Sequence, residues 1–245
     1  MILVDPYNPR AKELYNALAS VLNDTPITVV LGGDGWMLQC LREHHSLQPF
    51  LGLNAGTLGF LMNDVQDIQA RITEIQNQSW KIHSFPLLNI KGVSSNGKSF
   101  TARALNDVYL TRLEGRTANL RVDIDGICIV EKLICDGIIV ATSLGSTAYS
   151  SSAGGSPSHP LLQALHVTPI CPHSPRLRSF LVPQEADISI TALHPRRRPA
   201  QAVGDGISYG EAHTLQISCA PNQAHIAFLD SHNFTETMVR KVLRS

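Results

Sequence analysis

The stretch Ile27–Leu41, ITVVLGGDGWMLQCL, decides how the chain begins to fold. A β-branched apolar run ends at Gly32-Gly33-Asp34-Gly35, and a helix-like pattern, Trp36–Arg42, follows directly. A continuous apolar run of this kind is what a strand covered on both faces requires. Strand, glycine turn and helix together handle phosphate well, because glycine lets the backbone approach closely and a helix start presents unpaired N–H groups. A carboxylate among the glycines does not suit phosphate alone, since like charges repel. It suits a neutral group that must meet a phosphate, such as a hydroxyl that Asp34 orients and deprotonates as it attacks. The plainer alternative is a tight turn in which Asp34 caps the helix. The stretch matches neither GxxxxGK followed by Ser or Thr, nor GxGxxG.

Working outward, Ile2–Val4 predicts a first strand, and Leu14, Leu18 and Leu22 in NPRAKELYNALASVL recur at helical spacing. PFLGLNAG predicts a third strand leading into a turn. Strand–helix–strand alternation implies a parallel, doubly covered sheet. A second glycine turn, LGLNAGTLGFL from Leu51 to Leu61, also follows an apolar run. Two such turns are therefore expected at neighbouring strand ends, with Gly32, Gly33 and Gly56 against the phosphates of an extended polyphosphate or dinucleotide.

Near Lys98 the texture changes. Leu120, Val122 and Ile124 alternate with period two, and Asp125-Gly126 and Asp136-Gly137 each read as a hairpin turn. ADISITAL and HTLQISCA continue the strand pattern, and Phe234, Met238 and Val242 predict a closing helix. The expected fold is an N-terminal Rossmann-like α/β domain with a parallel sheet, followed by a C-terminal antiparallel β-sandwich. Residues 1–97 and 231–245 are assigned to the first domain and 98–230 to the second.

Twenty basic residues balance twenty acidic ones, so no global field draws the chain to nucleic acid or an anionic membrane. An anionic ligand must then be held by local groups. No apolar run approaches the roughly 20 residues that span a bilayer. The five cysteines are dispersed without a CxxC pair, and MILVDPYNPR does not read as a signal peptide, so a reducing, cytoplasmic setting is expected. His159, His166 and His173 recur every seven residues, but Pro160, Pro169 and Pro172 forbid a regular helix that would align them, and no metal site is assigned. Arg196–Arg198 between prolines reads first as a solvated loop.

GSTAYSSSAGG, Gly145 to Gly155, packs hydroxyls and a phenol among small residues. Such a stretch suits reading a base and a ribose, or is simply a Ser/Gly-rich loop. Taken together, GGDG (32–35), LNAGTLGFL (53–61), LNDV (105–108), CDGIIVAT (135–142), GSTAYSSSAGG (145–155), SFLVP (179–183) and VGDG (203–206) resemble the bacterial NAD kinases, most closely the short bacterial type.

The resemblance implies transfer of the terminal phosphoryl group of ATP to the 2′-hydroxyl of NAD's adenosine ribose, giving NADP, with Mg²⁺ accompanying the ATP. It implies that Asp34 deprotonates the hydroxyl and that Gly35 and Phe60 share the turns around it. Asn106 and Asp107 match the family's pair contacting adenine and ribose. Thr147, Ala148, Tyr149, Ser150, Ser151 and Ser152 match the element surrounding the dinucleotide. Asp136 matches the aspartate reaching the nicotinamide half, and Asp205 matches the acidic residue of the late DG motif. Family members are usually homodimers or homotetramers.

Three positions depart from the common pattern. Trp36 follows GGDG where many members have Thr, Ser143-Leu144 lacks the usual proline, and Ile134 stands where many carry a basic residue. The alternatives are a diacylglycerol- or sphingosine-type lipid kinase sharing the GGDG turn, and a non-catalytic NAD(P)-sensing module.

Overall fold

The computed structural model describes residues 1–245 except Asp24, Gln48, Thr57, Leu58, Ser95, Arg244 and Ser245, and without the side chains of Lys241 and Leu243. Thr57 and Leu58 of the second glycine turn therefore lie outside the described residues.

In chain order the first elements are β1 (Ile2–Val4), α1 (Pro9–Leu22), β2 (Thr28–Gly32), α2 (Asp34–Glu43), β3 (Phe50–Asn54) and α3 (Ile68–Gln76). Next come β4 (Trp80–Val93), β5 (Ser99–Ala104), β6 (Asp107–Arg112), β7 (Ala118–Ile124), β8 (Ile127–Cys135), β9 (Gly137–Thr142) and a short α4 (Tyr149–Ser152). The last are β10 (Ala164–Ile170), β11 (Phe180–Pro183), β12 (Ile188–Ala192), β13 (Ala200–Gly204), β14 (Ile207–Glu211), β15 (Thr214–Leu229) and α5 (Phe234–Met238).

The chain forms two compact units, Met1–Phe85 with Gln223–Ser245, and Pro86–Asn222. The divisions fall inside β4 and β15. Both strands run unbroken through them, so the change of sequence texture near Lys98 comes later, in the hairpin between β4 and β5.

In the first unit β1, β2, β3 and the end of β15 pair in that order, all parallel. Every residue of β2 and β3 is buried, as strands covered on both faces must be. Helix α1 starts where Asn8 Oδ1 accepts the N–H groups of Arg10 and Ala11, with Pro9 pre-set in the first turn. It lays the buried Leu14, Leu18 and Leu22 against Val29, Leu31, Leu51 and Leu53. Each such side chain contributes roughly 1.5–3 kcal/mol by leaving water. The tail forms α5 and one π-helical turn, Val239–Leu243, with Phe234 buried and Met238 and Val242 half-buried.

The second unit is a sandwich of antiparallel strands. One sheet pairs β15, β12, β7 and β8; the other runs β11-β10-β9-β6-β13-β14. Leu120, Val122, Ile188 and Ile190 from the first meet Val108, Leu110, Ile138 and Val140 from the second in a common core. Asp125-Gly126 is the expected hairpin turn, with both residues at positive φ between β7 and β8.

Asp136-Gly137 is not a hairpin. Strand β8 belongs to one sheet and β9 to the other, so the chain changes sheets here, and neither residue adopts a left-handed backbone. Glycine is needed for a different reason: a Cβ on Gly137 would lie 2.6 Å from the Leu110 carbonyl oxygen on the adjoining strand β6.

In the first unit, Asn63 pins the end of the second glycine turn. Its amide donates to the carbonyls of Gly52 and Ala227, and its Oδ1 accepts the Leu229 N–H at 2.8 Å. The residue is 1% exposed. Asn63→Ala leaves that buried N–H and those carbonyls unmatched, and should lower stability in urea unfolding by about 2–4 kcal/mol. A loss below about 0.5 kcal/mol, the size of an ordinary surface change, would contradict this role.

Candidate active site

In the first unit β2 and β3 are parallel neighbours with Gly32 opposite Asn54, so both glycine turns leave the carboxyl ends of adjacent strands. Ala55 N–H donates to the Gly32 carbonyl at 2.7 Å, and Asn54 Oδ1 accepts the Gly56 N–H. Ligands of open parallel sheets bind beyond these strand ends.

Asp34 opens α2, after Gly33. Its carboxylate reaches the second turn: Oδ2 accepts the Phe60 N–H at 2.8 Å and Oδ1 accepts the Leu61 N–H at 3.1 Å. Two backbone donors from one turn fix the plane of the carboxyl group. Gly59 makes room for it, since a Cβ there would sit 2.3 Å from Asp34 Oδ1. The sequence supplied no role for Gly59, because its constraint comes from a residue distant in the chain.

Gly32 is held by packing, with a Cβ there reaching Trp36 Cδ1 at 2.7 Å. The Trp36 indole donates to the Leu3 carbonyl at 3.4 Å. Among the described residues nothing lies within 4 Å of the Cβ positions of Gly33 or Gly35, so this backbone is open to close approach. Phe60 itself is buried and contributes to the turn through its N–H.

In the second unit Asp205 and Gly206 turn the chain between β13 and β14 at positive φ. The Asp205 carboxylate accepts the N–H groups of Leu105, Asn106 and Asp107 at 2.6, 2.8 and 3.2 Å. It braces the Asn106-Asp107 turn from within. The opposite side of that turn meets β9 and the loop after it: Thr142 Oγ1 donates to the Leu105 carbonyl at 2.7 Å and accepts the Gly145 N–H at 3.1 Å. A Cβ on Gly145 would sit 2.1 Å from the Asn106 carbonyl oxygen, so only glycine fits.

Asp107 is 4% exposed. Burial, and then the Asp205 charge, push its carboxyl up to about 7. Tyr109, two residues along β6, packs edge-on to Tyr149 with ring centroids 4.9 Å apart. Burial, then Asp107 and Tyr149, raise the Tyr109 phenol.

Among the sequence-predicted site residues, Asn106, Thr147, Ala148, Tyr149, Ser151 and Ser152 keep solvent exposure. Ser150 does not: it is fully buried and its hydroxyl pairs with Thr168 Oγ1 at 2.8 Å, because it faces the sheet under the loop. Asp136 forms an ion pair with Arg112, Nε to Oδ1 at 2.7 Å, a partner the sequence reading missed. Arg112 lies on β6 with Asp107 and Tyr109, but strand alternation alone does not reveal a bond to a residue in the link between sheets.

His166 is buried and bonded to the Ser158 hydroxyl, and the described residues contain no group of three metal-ligating side chains. Arg198 donates to Thr117, which ties down part of the basic loop.

Comparison with known proteins follows the same division. A family described as ATP-NAD kinase N-terminal domain matches residues 4–79, and one described as ATP-NAD kinase C-terminal domain matches residues 105–226. An NAD kinase of Cereibacter sphaeroides is 35% identical over 244 residues, covering 95% of this chain and 94% of its own. A crystal structure of yeast NADH kinase complexed with NADH superposes with a TM-score of 0.80 at 23% identity, over 99% of this chain and 86% of that one. An NAD kinase from Archaeoglobus fulgidus in complex with ATP gives a TM-score of 0.78 at 24% identity, over 100% and 98%. At those identities the two solved structures show the shared fold.

A prediction follows for Asp107. Its folded pKa is raised above the ordinary aspartate value, so its contribution to stability is present below about pH 4 and is lost as pH rises through 7. Asp107→Asn has no such loss. The variant should gain on the parent as pH rises from 4 to 7, by about 1.4 kcal/mol per pH unit, and the difference should level off above pH 7. The buried histidines act in the opposite direction as pH falls, but equally in both proteins. A stability difference that does not change with pH would contradict the assignment.

Proposed function

The chain belongs to the NAD kinase family, and on that premise we propose that Asp34 deprotonates the 2′-hydroxyl of NAD's adenosine ribose as ATP phosphorylates it. The 2′-oxygen bonds to the terminal phosphorus, the bond from that phosphorus to the bridging oxygen breaks, and ADP leaves. The hydroxyl proton passes to the Asp34 carboxylate, and the products are NADP and ADP. One observation carries this reading: the carboxylate is fixed at the end of β2 by the N–H groups of Phe60 and Leu61. Catalysis of this kind depends mainly on alignment and charge compensation. The relatives matched along most of the chain are NAD kinases, so the lipid-kinase alternative is not favoured.

Gly32, Gly33, Gly35 and Gly56 offer backbone to the phosphates, supported by the open space at Gly33 and Gly35. Mg²⁺ enters as part of the MgATP substrate, as is usual for a cation that binds largely through nucleotide phosphates. Dinucleotide recognition falls to the second unit. There Tyr149 and Ser152 are exposed for contact, Asn106, Thr147, Ala148 and Ser151 are half-buried beside them, and Asp136, held by Arg112, serves the nicotinamide half. Asp107, Ser150 and Asp205 act from beneath, shaping the turn and the loop.

Assembly as a homodimer or homotetramer is part of the same proposal, resting on the family resemblance. A cytoplasmic setting is supported by five cysteines that are all free.

The test is incubation with NAD, ATP and Mg²⁺, following NADP. Asp34→Asn should retain NAD affinity within about threefold and lose at least the ~10²-fold in kcat typical of a positioned acid–base group. Unchanged turnover would remove Asp34 from this role.

A further inference from the structure

The sheet order of the first unit is β1-β2-β3, with Val4 opposite Leu31 and Gly32 opposite Asn54, so β1 and β3 flank β2 without touching each other. After β1 the chain turns tightly: Asp5 N–H donates to the Leu31 carbonyl, Tyr7 N–H to Asp5 Oδ1, and Asn8 N–H to the Asp5 carbonyl. The start of α1 nonetheless bonds to the turn after β3. Asn8 Nδ2 donates to the Ala55 carbonyl at 3.3 Å, and Arg10 Nη1 donates to the Gly56 carbonyl at 3.4 Å. These bonds set the first turn of α1 against the turn that follows β3, whose neighbour β2 ends at Gly32 before Gly33 and Asp34.

Charge makes the position of Arg10 consequential. The two glycine turns, GGDG at 32–35 and LNAGTLGFL at 53–61, contain no lysine or arginine, and the charged side chain they carry is the Asp34 carboxylate. The chain as a whole is neutral, so no long-range field compensates. A polyphosphate brought to these turns needs a local cation, because charge spreads over the oxygens of the phosphoryl group as it transfers. Arg10 is exposed, and its planar guanidinium carries several donors in a fixed fork that matches phosphate oxygens.

We infer that Arg10 is a binding residue for the phosphoryl donor: it rests one N–H on the Gly56 carbonyl and directs its remaining donors to the polyphosphate of ATP. The inference rests on the reading under Proposed function. It places donor recognition partly in the first turn of α1, outside the two glycine turns. Arg10 is assigned to the polyphosphate of the donor and not to the diphosphate of NAD, whose recognition falls to the second unit, so it affects the donor and not the acceptor. Asn8 supports it by fixing the first turn of α1 with Oδ1 while Nδ2 holds the Ala55 carbonyl.

The test measures KM for MgATP and for NAD separately in the full-length protein and in Arg10→Ala and Arg10→Lys. Arg10→Ala should raise KM for MgATP about tenfold to a hundredfold, the size of a lost charge-assisted hydrogen bond, and leave KM for NAD within about twofold. Arg10→Lys should recover part of the loss, since an ammonium keeps the charge but not the fork. The rise in KM for MgATP caused by Arg10→Ala should shrink as salt is added. Unchanged KM for MgATP in Arg10→Ala, or equal rises for MgATP and NAD, would overturn the inference. A parent protein that forms no NADP would instead overturn the functional reading beneath it. Arg10 is exposed, so its variants should keep the parent's melting temperature; a fall in both would place Arg10 in the fold and also overturn the inference.

Discussion

The account depends on a carboxylate that would otherwise be repelled from the place it occupies. Two glycine turns leave the ends of adjacent parallel strands, and on the proposed reading Asp34 brings its carboxylate to the place where they meet phosphate. The N–H groups of Phe60 and Leu61 hold that charge, and Gly59 keeps the space clear. The same two hydrogen bonds tie the second turn to the first, and Asn63 in turn ties the second turn to β3 and β15. A small, rigid assembly of backbone donors thus sets the direction in which one carboxylate can accept a proton.

The second unit also turns a carboxylate onto backbone donors. Asp205 gathers three consecutive backbone N–H groups, and Asp107 is buried beside it. Thr142 and Gly145 close the other side of the turn, leaving no space for a side chain between the two backbones. What remains exposed is a short run of small residues and Tyr149, packed on Tyr109. A surface of this kind recognises a ligand by shape and by individual hydrogen bonds, which suits a dinucleotide better than an apolar tail.

Much of this was legible in the sequence where the requirement is local. The β2–turn–α2 unit, the leucine stripe of α1 and the Asp125-Gly126 hairpin each follow from backbone and periodicity within a few residues. Asp136-Gly137 was misread because the same dipeptide serves a change of sheet, where the glycine answers to close approach of β6. Gly59, Gly145 and Ser150 take their meaning from partners far away in the chain, and sequence spacing does not encode them. Asp205 was recognised as significant, but its engagement with the 105–107 backbone depends on the pairing of β13 with β6. Family resemblance singled out these residues; the contacts show which of them are exposed and which brace a neighbour from within.

The most direct measurement is a crystal structure of the protein soaked with NAD, read at the 2′-oxygen of the adenosine ribose. That oxygen should lie within hydrogen-bonding distance of an Asp34 carboxylate oxygen, about 2.6–3.2 Å. A well-ordered dinucleotide whose 2′-oxygen faces bulk solvent, remote from residue 34, would contradict the account.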